Sequence, residues 1–93
     1  MIKNFRDRRT QELFLLGCAP GVPADLAWRA AKRLERIEIA RSVGELGFPQ
    51  GFRLHKLQRD RAGQYSIAVN RQWRICFRFE DGDAYDVEFC DYH

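Results

Sequence analysis

The stretch that decides the fold spans residues 73–90 and reads WRICFRFEDGDAYDVEFC. In its first half, apolar side chains occupy every second position, which is the period of a strand with one buried face. The alternation resumes after Asp81-Gly82, where Tyr85, Val87 and Phe89 are expected to share the buried face. An Asp-Gly pair between two such runs is typical of a tight β-hairpin. The stretch therefore predicts two antiparallel strands joined by a short turn.

Shorter alternating runs precede this hairpin. Residues 65–70 and residues 52–55 both alternate between apolar and polar side chains, and a turn is predicted at residues 60–63 between them. The apolar start of the chain, residues 2–5, is predicted to add an edge strand. Together these runs predict a twisted, mainly antiparallel sheet of four to five strands.

Two helices are predicted before the strands. The first covers residues 7–16 and should end at Gly17, with Leu13, Leu16 and Phe14 on its buried side. The second covers residues 24–41 and should have Pro23 as its first helical residue. Its apolar positions are four, four and three residues apart, which is the spacing of one stripe of an amphipathic helix. This stripe consists of Leu26, Ala30, Leu34 and Ile37.

Helices followed by short antiparallel strands predict an α+β fold, with both helices on one face of the sheet. Residues 1–93 are expected to form a single domain, since the chain has 93 residues and is 45% hydrophobic. No apolar run reaches the roughly 18 residues of a membrane span, and the N-terminus leads directly into charged residues. A soluble, cytoplasmic protein with no membrane partner is therefore expected.

The cysteines indicate the compartment of the protein, and the distribution of charge indicates the kind of partner to expect. Cys18, Cys76 and Cys90 lack metal-ligand spacing and are expected to be structural filler in a reducing compartment. Residues 1–79 hold all 16 Lys and Arg against 7 acids, whereas residues 80–93 hold 6 acids and no Lys or Arg. This basic body suits a nucleic acid or an acidic protein, although the balance also fits an ordinary solvated surface. The same two alternatives apply to the basic side of the second helix.

Strand parity groups several polar side chains on the face of the sheet that the helices leave open. His55 and Arg74 both alternate away from apolar neighbours, and Tyr92 has the matching parity on the last strand. Asp91 and His93 have the opposite parity. A twist or bulge near the end of the last strand is expected to bring them to the same face.

Such a set of residues suits cleavage of RNA by its own 2′-hydroxyl. That reaction needs a base near the hydroxyl, an acid near the leaving 5′-oxygen and positive charge beside the phosphoryl oxygens. His55 and His93 could supply base and acid, and Arg74 could stabilise the phosphorane. Tyr92 could stack on a base, and Asp91 could orient a histidine. No metal is required, and the acids near the C-terminus make no convincing metal site.

Each of these residues also has an ordinary structural alternative. His55 could be a polar strand residue, Arg74 could stack on a ring or pair with an acid, and His93 could be a solvated chain end. These alternatives stay open on the pattern alone.

The pattern as a whole resembles the HigB-type toxins of the RelE/ParE superfamily of bacterial type II toxin–antitoxin systems. The resemblance is strongest in residues 54–57 (LHKL), 66–75 (SIAVNRQWRI) and 77–87 (FRFEDGDAYDV), and in the terminal Asp91-Tyr92-His93. Residues 1–5 (MIKNF) and 21–24 (GVPA) are also similar. The resemblance therefore covers nearly the whole chain.

The resemblance implies a RelE-like microbial ribonuclease fold and an endoribonuclease that cuts mRNA at the ribosomal A site. The implied route is attack by the 2′-hydroxyl, giving a 2′,3′-cyclic phosphate, with no cofactor. The implied partners are mRNA, the ribosome and a HigA-type helix-turn-helix antitoxin, through which alone the toxin would meet operator DNA. The implied catalytic residues are His55, Arg74, Asp91, Tyr92 and His93, and the implied RNA-binding residues are Lys56, Arg59, Asn70, Arg71 and Arg78.

The chain departs from the family pattern at two places. Family members often read LHPLKGD where residues 54–60 read LHKLQRD, so Gln58 stands at the usual lysine position. Lys56 or Arg59 is expected to supply the missing positive charge. Cys90 stands where an acid is usual.

Two rival functions stay open at this point. One is a superfamily member that acts on a protein target such as gyrase without cutting RNA. The other is a non-catalytic RNA-binding module. The combination of a candidate acid with a candidate base favours the ribonuclease, since a binding module needs neither.

Overall fold

The protein is described by a computed structural model that covers residues 1–48 and 50–91. Within these residues, α1 (Arg8–Leu16) and α2 (Ala24–Ile39) precede an antiparallel sheet in the order β1-β2-β3-β4. This arrangement confirms the predicted α+β class. No helix in this part of the chain is long and apolar enough to cross a membrane. The strands are β1 (His55–Lys56), β2 (Gln64–Ala68), β3 (Trp73–Glu80) and β4 (Asp83–Asp91), and short 3-10 helices lie at Val43–Gly47, Gln50–Phe52 and Arg59–Arg61.

The first helix has a side-chain cap at one end and a glycine at the other. The Asp7 carboxylate accepts hydrogen bonds from the Thr10 backbone N–H at 2.8 Å and from its hydroxyl at 2.7 Å. Gly17 ends the helix with φ of 75°, as predicted. Leu13 is fully buried, but Leu16 is 69% exposed and the prediction for it is wrong. Thr10, one turn before Leu13, completes the buried side instead.

The second helix buries the predicted stripe of Leu26, Ala30, Leu34 and Ile37. Its start differs from the prediction, because Pro23 has an extended backbone with ψ of 147° and is the N-cap. The helix ends at Ile39, two residues earlier than predicted.

The predicted hairpin turn is confirmed. Asp81 and Gly82 have φ values of 50° and 84°, and Glu80 pairs with Asp83 on either side of them. Two consecutive residues with positive φ define a type I′ turn, whose twist matches that of the flanking strands. The glycine relieves the backbone strain at the second of these positions.

A bulge in β4 changes which side chains reach the core. The register shifts between Cys76 and Arg78, and Asp86 has φ of 55°. One extra residue reverses the alternation, so Ala84 is fully buried while Tyr85 pairs with Arg78 on the other face. The prediction that Tyr85 shares the core face with Val87 and Phe89 is therefore wrong.

The N-terminal segment binds this bulge through hydrogen bonds. The Asn4 side-chain amide donates to the Asp86 carboxylate at 3.0 Å, and its oxygen accepts from the Asp86 backbone N–H at 2.9 Å. Ile2 and Phe5 form isolated parallel bridges with Ala84 and Val87. The predicted edge strand is thus a pair of bridges along β4 rather than a continuous strand.

The core lies between the helices and one face of the sheet. Phe89 is fully buried and stacks on Trp73, with ring centroids 4.6 Å apart. On the central strand, the alternating Ile75 and Phe77 are also fully buried. The alternation predicted for residues 73–79 therefore faces the helices as expected.

Candidate active site

The sheet carries two rows of side chains on the face opposite the core, which we call the open face. One row crosses all four strands at His55, Ser66, Cys76 and Glu88, because these residues are successive partners in the strand register. The next row contains Ala68, Arg74 and Cys90. His55 and Arg74 thus lie on the same face, in adjacent rows, as strand parity predicted.

Arg74 is held toward β1 by two hydrogen bonds. Its Nε donates to the Ser66 hydroxyl at 2.8 Å, and its Nη2 donates to the Arg53 carbonyl at 2.8 Å. Ser66 is fully buried, so the contact to its hydroxyl is shielded from competing water. These bonds place Arg74 in a cleft of about 290 Å³ that it lines together with Arg53, Leu54 and His55.

Backbone conformation contributes to the same cleft. Arg53 has φ of 49°, a left-handed conformation that costs a non-glycine residue roughly 1–2 kcal/mol. Its carbonyl in that conformation accepts the bond from Arg74. Strain of this kind is common where a structure orients a functional group. The run at residues 52–55, predicted as a strand, is therefore a 3-10 turn and a strained residue before the two-residue β1.

The cleft continues on both sides into basic cavities. On one side, Arg53 and Arg74 line a cavity of about 330 Å³ together with Asn70 and Arg71. On the other side, His55 lines a cavity of about 410 Å³ with Gln58, Arg59 and Arg61. The central cleft shares Arg53 and Arg74 with one cavity and His55 with the other, so the three lie side by side along the edge of the sheet. We call them the basic path, because five arginines line them against one acid, Asp60.

The two candidates for the missing lysine differ in position. Lys56 pairs with Tyr65 in the register and its Nζ lies 6.0 Å from the centroid of that ring, on the opposite face from His55. Arg59 is exposed and lines the same cavity as His55. The structure therefore brings Arg59, and not Lys56, beside His55.

Asn70 and Arg71 occupy the turn between β2 and β3. The Asn70 side-chain oxygen accepts from the backbone N–H groups of Gln72 at 2.8 Å and Trp73 at 2.7 Å. Asn70 thereby closes the turn, a structural task that sequence reasoning did not assign to it. Arg71 is exposed beside it and contributes positive charge to the rim of the cleft.

Arg78 lies apart from the cleft. Its guanidinium binds the Asp86 carboxylate at 3.0 Å, binds the Glu80 carboxylate, and lies over the Tyr85 ring. Hydrogen bonds from Asn4 and Arg78 hold the pKa of Asp86 below its ordinary value. Arg78 thus joins the network around the bulge, four residues along β3 from Arg74.

Asp91 is separated from His55 by the width of the sheet. It pairs with Trp73 on β4, while His55 lies on β1, so three strand spacings of roughly 4.8 Å each lie between them. A twist or a bulge near Cys90 was predicted; the register is regular from Cys76 to Trp73, so no bulge there brings Asp91 to the open face, and the predicted twist stays a prediction. Asp91 accepts a hydrogen bond from the Gln72 side chain at 2.9 Å. Tyr92 and His93 lie outside the described residues.

Sequence reasoning missed three contributors to the open face. Ser66 orients Arg74, and an ion pair of 3.0 Å joins Arg61 to Glu88 across the face. No pattern in the sequence marks the Arg61 contact, because it joins a turn to a strand 27 residues away. Among residues 1–48 and 50–91, no group of three or more His, Cys, Asp or Glu side chains is arranged to hold a metal ion.

A comparison of the amino-acid sequence with known protein families gives one match. The model of the HigB-like toxins, described as RelE-like toxins of type II toxin–antitoxin systems, matches residues 3–93. The chain belongs to the HigB-like toxin family. Membership implies an antitoxin partner, since toxins of type II systems act as one half of a pair.

Two relatives carry HigB names. The chain is 44% identical to "Endoribonuclease HigB" of Proteus vulgaris over 93 residues, which is 100% of both chains. It is 32% identical to "Toxin HigB-1" of Vibrio cholerae serotype O1 over 63 residues, which is 68% of this chain and 66% of the relative. The similarity to the Proteus vulgaris protein covers the whole chain and so includes the strands that form the cleft.

Proposed function

We propose that this HigB-family toxin is a ribosome-dependent endoribonuclease that inhibits translation by cutting mRNA in the ribosomal A site. The family and the similarity to an endoribonuclease across the whole chain support RNA cleavage. The observation that carries the proposal is the shared cleft in which two hydrogen bonds hold Arg74 beside His55. In the cytoplasm, translating ribosomes would supply the mRNA.

The proposed reaction is attack of a 2′-hydroxyl on the neighbouring phosphorus, with loss of the 5′-oxygen of the next nucleotide. A histidine such as His55 removes or supplies a proton, as an imidazole can near neutral pH. The Arg74 guanidinium stabilises the charge that develops on the phosphoryl oxygens. The resemblance implies that Asp91, Tyr92 and His93 occupy catalytic positions. We propose that His93 makes the complementary proton transfer, Tyr92 stacks on a base and Asp91 orients a histidine. The products are a 2′,3′-cyclic phosphate and a free 5′-hydroxyl.

The basic path that flanks the cleft is proposed to hold the RNA backbone. Arg71 lies at one end of this path and Arg59 at the other, with Arg74 between them. Guanidinium groups can bind phosphate with two parallel hydrogen bonds. Arg59 is proposed to replace the usual lysine at Gln58, because it shares a cavity with His55.

The antitoxin partner is proposed to be a helix-turn-helix protein of the HigA type. Such a pair would bind its operator through the antitoxin, and the toxin itself would not contact DNA. A small helix-turn-helix protein encoded next to this chain, and able to suppress its toxicity, would be the expected partner.

Cleavage by purified protein during in vitro translation of a defined mRNA tests the proposal. Wild-type protein should cut the message within the reading frame, as primer extension would detect. The His55→Ala variant should slow cleavage roughly 10²–10⁴-fold, which is the usual contribution of a general acid or base. Removal of ribosomes should also suppress cleavage.

Lys32→Ala provides the control, since Lys32 is a half-exposed cation on α2. This variant should cut at the wild-type rate. Intact mRNA in reactions where protein synthesis stops would refute the proposal and favour a binding module that blocks translation without cutting RNA. Intact mRNA with continued synthesis would refute it as well and favour a protein target outside translation, such as gyrase.

A further inference from the structure

The open face contains a contact between two thiols that sequence spacing does not reveal. Cys76 and Cys90 are 14 residues apart, yet their sulfur atoms lie 3.0 Å from each other. Cys76 is the register partner of Glu88 and Cys90 is the partner of Arg74, so the cysteines are diagonal neighbours on β3 and β4. Both are free thiols, and a disulfide bond would need their sulfurs at about 2.05 Å. A small local movement therefore separates the pair from a covalent bond.

The surroundings differ for the two sulfurs. Cys76 is buried although it lies on the open face, and Arg61 forms an ion pair of 3.0 Å with Glu88, the register partner of Cys76 on β4. Cys90 is only partly buried. The hydrogen bond from Cys90 lowers the pKa of the Cys76 thiol, burial opposes this effect, and the positive charge of Arg61 adds to it. Donation of the same hydrogen bond, together with burial, raises the pKa of Cys90.

We propose that Cys76 and Cys90 are a reversible oxidation site, at which a small hydroperoxide converts the two thiols into a disulfide that links β3 to β4. The contact with Cys90 and the charge of Arg61 favour the Cys76 thiolate, and Cys90 is a resolving thiol within contact distance. A low thiol pKa, a resolving cysteine and access for the oxidant are the features of a redox-sensitive dithiol. Because Cys76 is buried, a small peroxide must enter from the side of the partly buried Cys90. This role goes beyond the structural one that the sequence predicts for both residues.

The chemistry balances with hydrogen peroxide as the oxidant. The Cys76 thiolate attacks one peroxide oxygen, the O–O bond breaks, and a sulfenic acid and hydroxide form. The Cys90 sulfur then attacks the sulfenic sulfur, and the S–O bond breaks with loss of water. In total, two thiols and one peroxide give one disulfide and two waters. A dithiol such as dithiothreitol reverses the step by thiol–disulfide exchange.

The position of the pair connects oxidation to RNA cleavage, and this part rests on the proposed function. Cys90 directly precedes Asp91 and is the register partner of Arg74. The sulfurs must approach by about 1 Å, and the Cα atoms of diagonal neighbours usually lie about 7–8 Å apart, farther than the usual range of roughly 4.4–6.8 Å for a disulfide. Bond formation is therefore expected to draw the end of β4 toward β3. A displacement of about 1 Å near reacting groups can cost roughly 10²-fold in rate. The oxidised protein is therefore expected to cut RNA at least tenfold more slowly than the reduced protein.

Disulfide mapping tests the site itself, whether or not the protein cuts RNA. The experiment uses the full chain with Cys18→Ser, which removes an exposed thiol able to link two molecules. Treatment with hydrogen peroxide should remove two hydrogen atoms from the intact mass, and peptide mapping should join Cys76 to Cys90. Dithiothreitol should restore the starting mass. Oxidation that stops at sulfinic acid, or a protein that stays unmodified, would overturn the proposal.

Cleavage during translation tests the functional consequence in the same protein. Peroxide should slow the Cys18→Ser protein at least tenfold, and dithiothreitol should restore its rate. A Cys18→Ser/Cys90→Ser protein should not show this reversible loss, because it cannot form the bond. If the disulfide is mapped but the rate of RNA cleavage is unchanged, the proposal that oxidation controls activity is wrong. Absence of cleavage by the reduced protein would instead refute the proposed function and leave the mapped site standing.

Discussion

The two faces of the sheet are both well packed at β3, yet they are held by different forces. On the helix side, Ile75 and Phe77 are fully buried among apolar neighbours, where burial itself supplies the stabilisation. On the open face, Cys76 is just as buried, but under the ion pair between Arg61 and Glu88. Consecutive residues of β3 thus lie in two environments: Ile75 and Phe77 stabilise the core, whereas Cys76 belongs to the proposed oxidation site. Substitutions on the two faces should therefore have separable effects.

Phe89→Ala is expected to have the largest effect, and on stability. Phe89 is fully buried and stacks on Trp73 at 4.6 Å, so truncation removes apolar burial and leaves a cavity. The free energy of unfolding should fall by about 3–5 kcal/mol, as measured by urea denaturation. Phe48→Ala removes the same side chain from a position that is 69% exposed, and should change it by less than about 0.5 kcal/mol. Equal losses in the two variants would contradict the assignment of the core face.

Arg74→Ala is expected to act on the open face and mainly on rate. Loss of a group that stabilises developing charge should slow cleavage by roughly 10²–10³-fold, or about 2.7–4 kcal/mol in the activation free energy. Stability should fall by only about 1–3 kcal/mol, since the buried Ser66 hydroxyl loses its donor. Arg8→Ala, on the exposed surface of α1, serves as the control for lost charge. An Arg74→Ala protein that cleaves normally would return Arg74 to a structural role.

Asp86→Asn is expected to have the smallest effect, which is a modest loss of stability above about pH 4 that diminishes at lower pH. The pKa of Asp86 is lower in the folded protein than in the unfolded chain, because Asn4 and Arg78 stabilise the carboxylate. Its contribution to stability is therefore present above the unfolded pKa of about 4 and lost as the pH falls through the lower, folded pKa. When the pH falls from about 5 to about 3, the variant should lose less stability than the wild type.

Urea midpoints at the two pH values would measure this difference. Asp60→Asn, at an exposed position, is the control and should follow the wild-type curve. A variant at Asp86 that loses stability with the same slope as the wild type would show that the carboxylate at the bulge carries no such linkage.

Sequence reasoning predicted the features that depend on local patterns. Asp81-Gly82 specified the hairpin turn, and the alternation of apolar residues placed Phe89 in the core. Tyr85 was predicted wrongly because its face depends on the bulge at Asp86, which Asn4 holds from the other end of the chain. A period of two carries no information about such a distant contact.

The candidate site also contains some features that local patterns predict and others that depend on distant contacts. Parity alone placed His55 and Arg74 on one face. The prediction is confirmed for His55 although residues 52–54, from which its parity was counted, do not form a strand. The orientation of Arg74 depends on the Arg53 carbonyl, whose left-handed backbone no local rule predicts for an arginine. The approach of Cys76 to Cys90 depends on the register of β3 against β4, which the bulge sets.

The hydrogen bonds between Asn4 and the bulge also affect the order in which the chain can fold during its synthesis. Asn4 and Asp86 are 82 positions apart, so these bonds cannot form until residue 86 has left the ribosome. Strands β3 and β4 are made after both helices, and the apolar sides of α1 and α2 have no complete sheet to cover them before then. Because β3 carries Arg74, a growing chain lacks the cleft until this strand has emerged. The exposed apolar helices of the growing toxin are therefore a surface that chaperones could bind before the sheet forms.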